Sequence, residues 1–97
     1  MTIYIAGKIT GDPNYKVKFL RRAEGIKNAG HKAINPATLP AGMPWEACMR
    51  ICFAMIDAAD AAVFLPDWKE SRGARAEKTY CDVTGKPTFE IGKGDEM

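Results

Sequence analysis

A carboxylate with room beside it is the first feature of this sequence that could do chemistry. Ser71-Arg72-Gly73-Ala74-Arg75-Ala76-Glu77 opens a helical pattern that runs to Thr84. On its wheel Ala76, Tyr80 and Val83 form the predicted core stripe, and Arg75, Lys78 and Asp82 face water. Glu77 falls on neither arc, and its stripe neighbours, Ala74 and Cys81, are small enough to leave space for a ligand. The structural alternative is a boundary glutamate paired with Lys78 or a nearby arginine. Ser71 reads as the N-cap of this helix, so free N–H groups and the positive dipole end would favour an anion there. Arg72 and Arg75 would add charge or simply be solvated. A second segment, Gly7-Lys8-Ile9-Thr10-Gly11, follows an apolar run. Its glycines would let the backbone approach a ligand and present N–H groups to a phosphate. The spacing is not the dinucleotide fingerprint, and a tight turn alone would also ask for glycine. Trp68 could stack on a base or cap the core.

Other constellations lead nowhere. One histidine, His31, cannot build a Ser/His/Asp set with any partner in view, and it reads as a polar strand-end residue. Cys48 and Cys52 could share a helix face and join His31 at a metal, but the spacing matches no common zinc pattern. They read instead as small buried apolar side chains, as does Cys81. No metal and no cofactor is expected.

The elements that must position these residues alternate. Thr2 to Ala6 and Asp60 to Leu65 are short apolar runs of strand character, the second so continuous that both its faces should be covered. His31 to Asn35 is a weaker strand, and Pro87 to Ile91 the last one. Between them lie helical periods over Tyr15 to Ala29, stopped by Gly30, over Trp45 to Ala59, and over Arg72 to Thr84, stopped by Gly85. Pro36 to Pro44 must be irregular. The order βαβαβαβ predicts a single-domain, three-layer, flavodoxin-like (Rossmann-like) α/β fold. Its parallel sheet would have four strands in the order 2-1-3-4. In such sheets ligands sit beyond the carboxyl ends of the strands at the switch point, here between the first and third strands. That rule brings the Gly7 and Ser71 loops together. The domain should span 1–91, with 92–97 a polar tail.

Bulk properties set the remaining bounds. The 97 residues are 46% hydrophobic and 27% charged, with a net charge of +2, too small to argue for a nucleic acid polymer or a membrane surface. An odd cysteine count without a secretion-type N-terminus suggests free thiols and a cytoplasmic setting. The helix over 45–59 is apolar on more of its circumference than a sheet can cover: Trp45, Met49, Cys52 and Ile56 form one stripe, and Cys48, Ile51, Met55 and Ala59 widen it. A second subunit would cover the excess, giving a homodimer or higher homo-oligomer; a long overlying loop would serve as well.

Taken together, several blocks resemble a known family. Tyr4-Ile5-Ala6-Gly7-Lys8-Ile9-Thr10-Gly11 is similar to the opening Y-x-A/C-G-x-x-x-G of nucleoside 2-deoxyribosyltransferases and the related 2′-deoxynucleoside 5′-phosphate N-hydrolases. Ala59-Asp60-Ala61-Ala62-Val63 resembles their A-D-hydrophobic strand, and Ser71-x-Gly73-x-x-x-Glu77, with Tyr80 and Gly85-Lys86-Pro87, their S/D-x-G-x-x-x-E block and the G-K-P that follows. The likeness is strongest to a small phage-associated branch of that superfamily, through Leu65-Pro66-Asp67-Trp68-Lys69-Glu70-Ser71 and the residues after it. The resemblance implies a nucleoside or nucleotide as small-molecule partner. It makes Glu77 the nucleophile at C1′, with Tyr4 touching the sugar or the glutamate. Gly7, Lys8, Ile9, Thr10, Gly11, Trp68, Ser71, Arg72 and Gly73 would line the rest, and a serine at position 71 leans toward a nucleotide. Asp60 would be structural. Where the family's enzymes carry an aspartate that helps protonate the departing base, counting back from Asp60 reaches Cys52. Three functions are therefore open: an N-glycosidase or deoxyribosyl transferase, a non-catalytic nucleotide-binding module, and a protein-interaction domain.

Overall fold

The computed structural model describes residues 1–92, so of the expected tail 92–97 all but Gly92 lies outside the described residues. Strands β1 (Thr2–Ala6), β2 (Lys32–Ile34), β3 (Ala61–Phe64) and β4 (Thr88–Glu90) alternate with helices α1 (Tyr15–Asn28), α2 (Trp45–Ala58) and α3 (Arg72–Thr84). The strands pair in parallel in the order β2-β1-β3-β4, as the alternation predicts. β1 and β3 are the apolar central pair, buried at every residue except Thr2, because helices cover both faces of the sheet.

Alternation along the strands divides the core in two. Ile3 and Ile5 of β1, with Val63 and Leu65, meet Phe19, Ala23 and Ile26 of α1 on one face. Tyr4, Ala6, Ala62 and Phe64 meet Cys52 and Ile56 of α2 and Cys81 of α3 on the other. The chain winds one way from β1 and the other way from β3, so a crevice opens between their carboxyl ends. Left-handed glycines end the outer helices, Gly30 at φ +90° and Gly85 at φ +76°. At the end of the sheet away from the crevice the Asp60 carboxylate accepts a 2.7 Å hydrogen bond from the Thr2 N–H, the structural role expected of it.

The stripe of α3 that faces the core differs from the one predicted. Ala74, Glu77 and Cys81 are buried, and Val83 is 80% exposed. The neighbouring helix sets this rotation. Phe53 of α2 stacks on Tyr80 with ring centroids 4.5 Å apart, and the Tyr80 hydroxyl donates to Asp57 at 2.6 Å. Tyr80 is thereby turned toward α2, and the small-residue stripe lies against the sheet. Part of the broad apolar arc of α2 is consumed inside the chain: Phe53 and Met55 pack on the same core. Among the described residues no helix is long and apolar enough to cross a membrane.

Candidate functional site

A cavity of about 620 Å³ occupies the switch point. Its floor is the end of β1, from Tyr4 to Gly7. Its walls are the first turns of α2 and α3, and the irregular segment ahead of α2, through Leu39 to Met43, closes one side. Glycine stands at two points of close approach. A Cβ on Gly7 would lie 2.8 Å from Leu65 Cδ1, so only glycine lets β1 leave the sheet this close to the end of β3. A Cβ on Gly73 would lie 3.2 Å from Met49 Sδ, where α2 approaches the start of α3. Ser71 caps α3 as expected, its Oγ accepting from the Ala74 N–H at 3.1 Å.

Glu77 projects into this cavity from the buried stripe of α3 and is only 5% exposed. The Tyr4 hydroxyl donates to its Oε2 at 2.8 Å, and Cys52 of α2 stands beside both. Burial pushes the Glu77 carboxyl up to about 7, against the opposing pull of its hydrogen bonds with Tyr4 and Cys52. Burial, then the charge of Glu77, drives the Tyr4 phenol well above its ordinary range. Burial likewise pushes the Cys52 thiol up to about 11. Among the described residues Glu77 forms no ion pair; Lys78, its candidate partner, bonds Asp82 instead at 3.0 Å. A carboxylate held from water with neutral donors alone is costly, and such groups concentrate where chemistry or binding needs them.

A lysine that sequence reasoning missed fixes the loops above the cavity. Lys18 Nζ donates to the Lys8 carbonyl at 2.9 Å, to Asp12 at 2.5 Å and to Asp67. Asp67 also accepts from the Lys8 N–H at 3.1 Å. One ammonium group thus ties the loop after β1 to the loop after β3. Burial works to lower the pKa of Lys18, yet its two carboxylate partners leave it raised, while the Lys18 hydrogen bond holds Asp12 below its usual range. In sequence Lys18 is one of several cations on an amphipathic helix, and nothing marks it out.

Of the residues singled out in the sequence, Tyr4, Gly7, Ile9, Thr10, Ser71, Arg72, Gly73 and Glu77 come together around the cavity. Lys8, Gly11 and Trp68 do not line it. The Lys8 ammonium lies 3.6 Å from Glu70 at the rim, and Gly11, at φ +82°, only turns the loop. Trp68 caps the core: its ring meets Phe64 edge-on at 5.4 Å, and its Nε1 donates to Glu90 at 3.2 Å. The tryptophan at the cavity is Trp45 instead, with the Arg72 guanidinium 4.2 Å from its centroid. The usable signal for Trp45 was its place directly after the proline-rich segment, which follows β2 and must border the switch point. The structure leaves His31 far from Cys48 and Cys52: its Nδ1 meets the N-terminal amine at 3.0 Å. Among the described residues no group of three His, Cys, Asp or Glu side chains is placed to hold a metal ion.

Fold and cavity together define a class: a Rossmann-like α/β domain with a buried carboxylate at its topological switch point. Within that class the chain belongs to the DUF4406 family, described as a domain of unknown function, whose family model matches residues 1–89. No curated protein and no solved structure matches it.

Proposed function

We propose that this chain processes the N-glycosidic bond of a nucleoside or nucleotide, with Glu77 as nucleophile, and that its family is a branch of the nucleoside 2-deoxyribosyltransferase superfamily. The observation that carries this is the Glu77 carboxylate, 5% exposed and without an ion-pair partner among the described residues, in the wall of a cavity large enough for a nucleotide. Support also comes from the two motif blocks, whose residues Tyr4 and Glu77 lie 73 positions apart in sequence and meet in a hydrogen bond. The Tyr4 bond is to Oε2, and Oε1 would attack C1′. The C1′–N electron pair leaves with the base, which takes up a proton from solvent, and a glycosyl ester of Glu77 remains. Water or a second base then bonds C1′ and loses a proton to solvent as the ester pair returns to the carboxylate, with retention at the sugar. Thr10, Ser71 and Arg72 would hold the sugar or its 5′-phosphate. The test is incubation with a pool of nucleosides and nucleotides, followed by chromatography of released bases. Base release that Glu77→Gln abolishes is the expected result; intact compounds throughout would refute it.

The neutral Cys52 thiol, at the place where an acid would assist departure of the base, favours a second reading, capture without cleavage. The protein would then be stabilised by about 2.7 kcal/mol at one hundred times the dissociation constant, with intact ligand recovered. A homo-oligomeric contact on the outer side of α2 belongs to the same proposal, and a monomer in sedimentation velocity would remove it.

A further inference from the structure

Cleavage of an ordinary nucleoside needs a proton for the departing base, and general acids that supply it contribute roughly 10²–10⁴-fold. The side chains around Glu77 offer no such group. Besides Glu77, the titratable residues lining the cavity are Tyr4, Tyr15, Cys48, Cys52, Glu70 and Arg72. The Tyr4 proton is committed to Glu77. Cys52, with its thiol pushed up to about 11 by burial, stays neutral and acidic only in name. Arg72 is engaged over Trp45, its guanidinium 4.2 Å from the ring centroid. Glu70 sits on the turn before α3, its side chain 64% exposed and facing Lys8 at 3.6 Å. Tyr15 and Cys48 bring a phenol and a thiol rather than a carboxylic acid. The cavity is therefore short of an acid, and its buried carboxylate is short of a cation.

One kind of substrate answers both shortages. We infer that the site takes an N-glycoside whose heterocycle already carries a positive charge, of the N-ribosylpyridinium type; this rests on Glu77 acting as the nucleophile. A Glu77 oxygen bonds C1′, the C1′–N pair passes to the ring nitrogen, and the ring leaves neutral with no proton required. Water then bonds C1′, the ester pair returns to Glu77, and the proton lost by that water passes to solvent through the cavity mouth. Each turnover releases one proton, whereas hydrolysis of a neutral nucleoside releases none. The positive ring also favours the ionised carboxylate on binding.

The experiment compares nicotinamide mononucleotide with adenosine and deoxyadenosine 5′-monophosphates on the intact protein, in weak buffer with a pH indicator, with free base followed by chromatography. Nicotinamide should be released with one proton per cleavage, on the order of 100-fold faster than adenine, the low end of what a general acid supplies. Glu77→Gln should abolish it, and Cys52→Asp should raise adenine release by restoring an acid. Adenine released as fast as nicotinamide by the native protein, in a Glu77-dependent way, overturns the cationic-substrate inference and leaves the glycosidic-bond function standing. No cleavage of any of the three, with no sugar bound to Glu77, overturns both.

Discussion

Replacing Glu77 by glutamine should flatten the pH dependence of stability over the range where the native carboxyl titrates. An unfolded glutamate titrates near 4.5, and in the folded protein burial pushes Glu77 up to about 7. Below 4.5 both states hold the proton. Between 4.5 and about 7 the folded state holds it and the unfolded state does not, so the free energy of unfolding falls as pH rises, and it levels off above 7. The gap between 4.5 and about 7, at 1.36 kcal/mol per pH unit, is worth about 3 kcal/mol. Asp12 works in the opposite sense: its lowered pKa adds stability that is lost only as pH drops through the acid range. That contribution is common to both proteins and cancels in the difference. The assay is urea unfolding followed by circular dichroism at pH 4, 5, 6, 7 and 8 for each protein. Relative to Glu77→Gln, the native protein should lose about 3 kcal/mol between pH 4 and pH 8. Parallel curves would mean that Glu77 titrates like an exposed glutamate, and the account of the cavity would fail.

Three further outcomes follow from the same geometry. Tyr4→Phe removes the 2.8 Å donor to Glu77; a hydrogen bond to a charged group is worth about 1.5–3 kcal/mol, so the Glu77 titration seen by carboxyl carbon NMR should move up by about one to two pH units. Gly7→Ala forces a Cβ to 2.8 Å from Leu65 Cδ1 in the core, and overpacking of this kind should cost about 1–3 kcal/mol in urea unfolding, with ligand binding weakened as the loop shifts. Ser71→Ala removes the side-chain cap of α3 and should cost about 1 kcal/mol in the same measurement.

How much of this was legible in the sequence depended on what kind of signal each residue carries. Strand and helix order follows from period and from breakers such as Gly30 and Gly85, which are local facts about the chain. The apolar run ending at Leu65 identifies a central strand for the same reason. Which arc of α3 faces the sheet is not local. Ala76, Tyr80 and Val83 are the more hydrophobic arc, yet the stacking of Phe53 on Tyr80 turns the helix so that Glu77 joins the core stripe. The two tryptophans show the same limit: spacing places Trp68 after β3 but cannot say that Phe64 and Glu90 engage it, leaving Trp45 at the cavity. Lys18 was invisible because its three acceptors lie in two loops that only the folded sheet brings together.

The most direct measurement is intact-protein and peptide mass spectrometry after incubation with a 2-deoxy-2-fluoro nucleotide or ribosylpyridinium analogue. The fluorine withdraws electrons from C1′ and slows hydrolysis of any ester formed there. One sugar unit covalently bound, located on the peptide that carries Glu77 and missing from Glu77→Gln, is the expected result. Base released with no adduct and with inverted configuration at C1′ would contradict it, because water rather than Glu77 would then have attacked the sugar.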